Sequence, residues 1–154
     1  EKIDVVNGIT IVDDYAHHPA ELTVTLKAAK KLDFKNVWAV FQPFTYSRTK
    51  ILLNDFVKAL SIADRVVLTD IMGSREKNTL KIYSEDLGNK LSNAFWFDYD
   101  KDIVDEQSPE QKTKNFNDII DYISKNAQSG DLVITLGCGD VYKIAKKLAI
   151  KLKN

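Results

Sequence analysis

Apolar runs alternate with helix-period segments along nearly all of this chain. That alternation predicts an α/β fold: a Rossmann-like, doubly wound, mostly parallel sheet with an antiparallel edge strand or hairpin. The run Val37-Trp38-Ala39-Val40-Phe41 is apolar without interruption, as in a strand buried on both faces. Between such runs, apolar residues recur at three- and four-residue intervals, the period of a helix with one buried face. No internal repeat is present, and 154 residues suit one domain of ordinary size.

The elements follow in order. Asn7-Gly8 between two apolar segments is a hairpin signal, joining Lys2–Val6 to Ile9–Asp13. Pro19 opens a helix that runs to Lys31, with Leu22, Leu26 and Ala29 on one face. After the strand at Val37–Phe41, a helix is predicted from about Thr49 to Ser61, striped by Leu52, Leu53, Phe56, Val57 and Leu60. Arg65–Thr69 reads as a third parallel strand. Ser84 to Leu91 begins like an N-capped helix, with Glu85 and Asp86 in its first turn. Ala94–Phe97 is a weaker strand. Tyr99 to Asn115 is polar without clear period and reads as a surface loop or insertion. Phe116–Asn126 is helical and ends before Gly130. Asp131–Leu136 and Val141–Lys153 supply the last strand and helix.

Composition limits what such a domain does. Hydrophobic residues are 44% and charged residues 29%, the balance of a globular chain. Lys+Arg and Asp+Glu are both 22, so there is no basic excess of the kind a nucleic-acid surface carries. A lone cysteine, Cys138, cannot close an internal disulfide, and a reducing compartment is the simpler expectation. No apolar run approaches the ~20 residues that span a bilayer. The chain opens Glu1-Lys2-Ile3 without an initiating Met, as a fragment of something longer would.

Polar clusters sit where strands are predicted to end, the edge at which open α/β sheets bind ligands. Asp13-Asp14-Tyr15-Ala16-His17-His18-Pro19 joins carboxylates, a phenol and two imidazoles just before a helix amino end. Asp in this setting accepts ribose hydroxyls, and His contacts phosphate or carboxylate. The bland alternative, that Asp14 caps a turn and the histidines are ordinary loop residues, stays open on spacing alone, because polar strand ends are common in this architecture. A metal site is a weaker third reading, because HxxxH spacing is absent. In Gln42–Thr49, Arg48 can hold a phosphate or carboxylate bidentately, or simply pair with a helix carboxylate. Gly73-Ser74-Arg75-Glu76-Lys77-Asn78 either closes over a ligand or is solvated loop. Gly137-Cys138-Gly139-Asp140 permits a tight turn. It is not a GxGxxG fingerprint, and no GxxxxGK[ST] phosphate loop occurs, so no standalone dinucleotide or ATP site is inferred. Cys138 reads as a small packing residue in a turn.

Four segments in order resemble the carboxy-terminal domain of the Mur ligases of peptidoglycan synthesis, in the branch that adds L-alanine. Val12-Asp13-Asp14-Tyr15-Ala16-His17-His18-Pro19-Ala20-Glu21 is similar to the DDYxHHPxE signature. Phe41-Gln42-Pro43 and Tyr46-Ser47-Arg48-Thr49 are similar to FQPHxYxRT, and Asp70 to Glu76 to DIxGSxRE. Gly130 to Asp140 resembles the closing GDLVLTxGAGD segment. The likeness spans nearly the whole chain.

The resemblance implies an ATP-dependent amide-bond-forming ligase. The carboxylate of UDP-N-acetylmuramate would attack the ATP γ-phosphate, and L-alanine would displace phosphate from the acyl phosphate. Mg2+ would neutralise phosphate charge. The family has three domains, and residues 1–154 look like the third alone, without the N-terminal UDP-binding and central ATP-binding domains. The isolated domain is expected to be inactive, because the phosphate loop and metal ligands belong to the central domain. Expected partners are UDP-N-acetylmuramate, L-alanine and the enzyme's own other domains, with no nucleic acid and no membrane insertion, in the bacterial cytoplasm. Carried over by position, Asp14 binds the ATP ribose, Tyr15 and His17 face the nucleotide, and Arg48 orients substrate carboxylate or phosphate. Arg48 and His17 are the catalytic candidates, and no residue of this chain is expected to ligate metal. One departure is that many relatives have His-Arg or His-Thr where this chain has Phe44-Thr45. No polar role at position 44 therefore carries over; Phe44 shapes a pocket wall, or Arg48 takes more of the binding. Two other readings stay open: a murein-recycling ligase that attaches a tripeptide, whose second segment diverges from the one here, and a non-catalytic Rossmann-like binding module.

Overall fold

The computed structural model describes residues 1–102 and 108–154. Six strands form one sheet in the order β1-β2-β6-β3-β4-β5. They are β1 (Lys2–Val6), β2 (Ile9–Asp14), β3 (Val37–Phe41), β4 (Arg65–Leu68), β5 (Ala94–Phe95) and β6 (Leu132–Leu136). Only β1 runs antiparallel, paired to β2 through the Asn7-Gly8 turn, where Asn7 has φ 53° and Gly8 φ 79°. Positive φ at both central residues matches the twist of a tight hairpin and suits Asn-Gly. The predicted sheet and its antiparallel edge are therefore present.

Strict alternation along the central strands splits the apolar residues between two cores. Val37, Ala39 and Phe41 face one side, with α1 (Pro19–Lys30), α3 (Leu53–Leu60) and α4 (Ser84–Gly88). Trp38 and Val40 face the other, with α5 (Pro109–Asn126) and α6 (Tyr142–Lys153). A strand covered on both faces has no polar side, which is why these runs are uninterrupted. Trp38 is fully buried, and its Nε1 donates to Asp131 Oδ2 at 3.0 Å.

The connections from β2, β3 and β4 lie on the first face, whereas α5 and α6, before and after β6, lie on the second. Because β6 is inserted between β2 and β3, neighbouring strand ends send their chains to opposite faces. That divergence opens a crevice at the carboxyl ends of β2, β6 and β3, the place where open sheets bind ligands.

The helix predicted over Ser84–Leu91 ends at Gly88 and the strand predicted over Ala94–Phe97 ends at Phe95; two further differences from expectation bear on the site. The helix predicted from about Thr49 begins at Tyr46, as α2 (Tyr46–Ile51), and breaks at Leu52 before α3. Its first turn is polar and carries no apolar stripe, so periodicity starts too late to mark it. The stretch read as a loop from Tyr99 to Asn115 contains the start of α5, whose N-cap is Ser108 and whose first residue is Pro109. Ser-Pro is an N-cap and N1 signature, so capping chemistry marked this start where hydrophobic period did not. Positions 103–107 of that predicted loop lie outside the described residues.

Candidate functional site

Backbone hydrogen bonds extend the sheet beyond its strands at the carboxyl edge. Gly137 N donates to Asp14 O at 3.2 Å, Gln42 N to Leu136 O at 3.0 Å and Thr69 N to Phe41 O at 3.0 Å. The four polar segments found in the sequence thus leave the sheet side by side. Gly137 has φ 153°, and a Cβ there would lie 3.0 Å from Val141 and 3.4 Å from Gln42, so glycine suits this exit.

On β2, Asp13 accepts the Thr135 hydroxyl at 2.7 Å and so points across to β6. Asp14 accepts Ala16 N on Oδ1 (2.8 Å) and the Thr25 hydroxyl on Oδ2 (3.2 Å). Asp14 therefore does cap a turn. A carboxylate offers about four acceptor positions, and two remain for a ligand's hydroxyls. Tyr15 is 69% exposed, edge-on to the His17 ring. His17 Nδ1 lies 3.1 Å from Tyr15 O and 3.5 Å from Glu21 Oε1. His18 caps α1 with its own ring, accepting from Ala20 N at 3.3 Å. Glu21 Oε1 accepts His18 N (3.1 Å) and His17 N (3.3 Å), and these two donors hold its carboxyl below the usual range. The two histidines thus separate in role: His18 caps the helix start, while the His17 ring packs between Tyr15 and Glu21.

On the β3 side, Arg48 sits on α2. Thr45 caps this helix with φ 64° and ψ 146°, a backbone region a β-branched residue seldom occupies. Arg48 N donates to Thr45 Oγ1 at 3.3 Å. The Arg48 guanidinium lies over the Phe44 ring at 5.9 Å. Among the described residues Arg48 makes no ion pair, so the bland reading of a surface arginine bonded to a helix carboxylate does not describe it. Its charge reaches both Glu76 and Cys138, which places it between the β4 and β6 loops. Burial pushes the Cys138 thiol up, against the opposing pull of Arg48. That favours the unreactive thiol form.

A second polar cluster lies on the α5 side. Gln42 is 2% exposed; its Nε2 donates to Asp140 Oδ1 at 2.9 Å. Lys112 Nζ donates to Asp140 Oδ2 at 3.1 Å, and with Gln42 outweighs burial to keep that carboxyl low. The Gln42 Oε1 atom is buried and makes no hydrogen bond among the described residues. A cavity of about 240 Å3 is bordered here by Gln42, Asp70, Met72, Lys112 and Asn115. Burial raises Asp70 to about 6, although Gln111 Nε2 donates to it at 3.4 Å. Gly139 packs against this cluster; a Cβ would fall 2.4 Å from Met72 Sδ and 2.6 Å from Gln42 Oε1.

The structure brings Asp14, His17 and Arg48 to one edge, with Tyr15 at its solvent side. Sequence reasoning singled out these four and passed over Gln42, Glu76, Lys112 and Asp140. Gln42 and Glu76 stood inside quoted motifs, but Lys112 fell in the stretch read as loop. No group of three or more His, Cys, Asp or Glu is placed to hold a metal ion among the described residues. Among the described residues no helix is long and apolar enough to cross a membrane.

A doubly wound sheet with polar side chains gathered at the carboxyl ends of its strands defines an α/β domain of the open-sheet, Rossmann-like class, in which ligands bind at that edge. The sequence profile of the family described as "Mur ligase, glutamate ligase domain" matches residues 1–139. The chain belongs to that family. It is 47% identical over 96% of its length to a UDP-N-acetylmuramate–L-alanine ligase of Lachnospira eligens, covering 30% of that protein. It is 44% identical over 93% of its length to the ligase of the same name in Caldanaerobacter subterraneus, covering 28% of it. The chain thus spans under a third of the relatives it matches. Its fold superposes on a murein peptide ligase of Psychrobacter arcticus with a TM-score of 0.72, at 23% identity, covering all of this chain and 29% of that one. A UDP-N-acetylmuramate–alanine ligase of Thermotoga maritima superposes with a TM-score of 0.67 at 20% identity, covering 96% of this chain and 27% of that one.

Proposed function

We propose that residues 1–154 form the C-terminal domain of an ATP-dependent ligase that joins L-alanine to UDP-N-acetylmuramate in bacterial peptidoglycan synthesis. The observation that carries this reading is the 47% identity, over 96% of the chain, to a ligase of that name. In this reading the parent acts in the cytoplasm, and its N-terminal and central domains supply the UDP-sugar site, the phosphate loop and the Mg2+ site. Magnesium, when bound there, offsets phosphate charge.

The residues of this domain bind and orient. Asp14 has acceptor capacity left for the ribose hydroxyls of ATP, and Tyr15 and His17 flank that position. Arg48, held over Phe44 and making no ion pair among the described residues, presents two parallel N–H donors to a substrate carboxylate or phosphate. With Nδ1 beside Tyr15 O, the other His17 ring nitrogen would be the one to accept or give a proton as the amine attacks. Phe44, with its ring 5.9 Å from the Arg48 guanidinium, would shape the wall beside that group.

The test is phosphate release by the intact parent protein with ATP, Mg2+ and UDP-N-acetylmuramate, with and without L-alanine. Strong alanine-dependent release supports the reading. Release that requires a tripeptide instead reassigns the acceptor, and release with neither discards the ligase. The 154-residue chain alone is expected to show none, because it has no GxxxxGK[ST] segment.

A further inference from the structure

We propose that Glu76 is a positioning residue for Arg48: it anchors the first turn of α2 from a loop that lies across the next strand. This rests on the reading that Arg48 holds a substrate anion. The Glu76 carboxylate accepts Ser47 N on Oε1 at 2.9 Å and the Ser47 hydroxyl on Oε2 at 2.5 Å. It also takes a backbone bond from Tyr46. Both oxygens thus bond Ser47, the residue just before Arg48, from 29 positions downstream.

The need for such an anchor follows from α2 itself. A six-residue helix cannot sustain itself on local hydrogen bonds. Its cap residue, Thr45, holds a φ of 64°, which costs energy that surrounding contacts must offset. Among the described residues Thr45 Oγ1 accepts Arg48 N alone, at 3.3 Å. The remaining first-turn donors go to a charged acceptor, the stronger kind of hydrogen bond, placed where the helix dipole favours an anion. The anchor loop is itself tied down. Met72 N donates to Pro43 O, and Thr45 N to Met72 O, both at 2.8 Å. Asn78 closes the other end by bonding Ile82 N at 3.0 Å and Ile82 O at 2.8 Å. The segment from Gly73 to Asn78 is therefore a strut between β4 and α2. The charge of Arg48 is also felt at Glu76, yet the two form no ion pair among the described residues. The carboxylate orients the helix and leaves the guanidinium available to the ligand.

The experiment compares Glu76→Ala, Glu76→Gln, Arg48→Ala and the double Glu76→Ala/Arg48→Ala variant in the intact parent. Phosphate release is read against L-alanine and against ATP. Glu76→Ala should lose roughly tenfold in the same kinetic parameter that Arg48→Ala lowers. Glu76→Gln, which keeps two polar contacts to Ser47, should recover most of it. The double variant should be no worse than Arg48→Ala alone. Wild-type kinetics in Glu76→Ala, or losses that simply multiply in the double variant, would overturn the proposal. A parent without alanine- or tripeptide-dependent release fails the ligase reading instead. For that case the chain itself supplies a second measurement. Amide exchange at Tyr46–Thr49 should accelerate at least tenfold in Glu76→Ala while the β3 and β6 amides stay protected. Unchanged exchange at α2 would equally overturn the anchor.

Discussion

Arg48 and Asp131 show two opposite uses of charge at the level of single residues. Arg48 is half-buried, lies over an aromatic ring and makes no ion pair among the described residues. Replacing it with Ala removes little packing, so the parent, if it acts as the proposed ligase, should lose 100-fold or more in kcat/KM, about 3 kcal/mol of transition-state binding. The melting temperature should move by less than a few degrees; comparable losses of folding and activity would return Arg48 to a structural role. Asp131 is the reverse case. It is 1% exposed and accepts Trp38 Nε1 at 3.0 Å, Asn36 Nδ2 at 3.1 Å and Gln128 N at 2.9 Å. Asp131→Ala leaves those donors without an acceptor and should cost roughly 2–4 kcal/mol in urea unfolding. The crevice lies at the other end of the strands, so alanine KM in the parent should hold.

Elements carry the site through their ends rather than their middles. α5 brings Gln111, Lys112 and Asn115 to the carboxyl edge only because it begins at Pro109. Ser108 secures that start by accepting Gln111 N on its hydroxyl oxygen at 3.1 Å. Ser108→Ala should therefore cost about 1 kcal/mol. It should also loosen the Lys112–Asp140 pair, visible as faster exchange of the α5 first-turn amides with α6 unchanged. α2 is the other such element. Its first turn is anchored by residues after β4, so its start depends on the chain that follows it by some thirty positions.

The two-faced sheet sets the behaviour of the whole molecule with pH. Asp70 lies at the end of β4 beside the cavity, and burial raises its carboxyl to about 6. In the unfolded chain it titrates at 3.8, so between about pH 4 and 6 the folded state binds more protons than the unfolded one. Stability from this group is then present below about pH 4 and falls as pH rises through about 6, by about 2–3 kcal/mol in all. Asp70→Asn removes the dependence. Its stability advantage over wild type in urea should grow from pH 4 to pH 6 and level off above that. A gap constant with pH would mean that Asp70 is no less ionisable folded than unfolded. Below about pH 4 the sign reverses for the molecule, because carboxyls held low, such as Asp64 beside Lys30 and Val37 N, must be protonated.

The sequence by itself determined the sheet, its mostly parallel strands, the Asn7-Gly8 hairpin and the family, because apolar period and turn chemistry act over a few residues. It also picked out Asp14, His17 and Arg48, which stand in local motifs at strand ends. It did not reveal the start of α2, the start of α5 or the partners of the site. Those depend on contacts such as Ser47 with Glu76 and Gln42 with Asp140, which lie 29 and 98 positions apart. Only the tertiary structure decided that Asp14 bonds both Ala16 N and the Thr25 hydroxyl, that His18 is a helix cap while His17 is not, and that Arg48 makes no ion pair among the described residues. Each of these is settled by which groups the fold brings within hydrogen-bonding reach, and no local pattern encodes that distance.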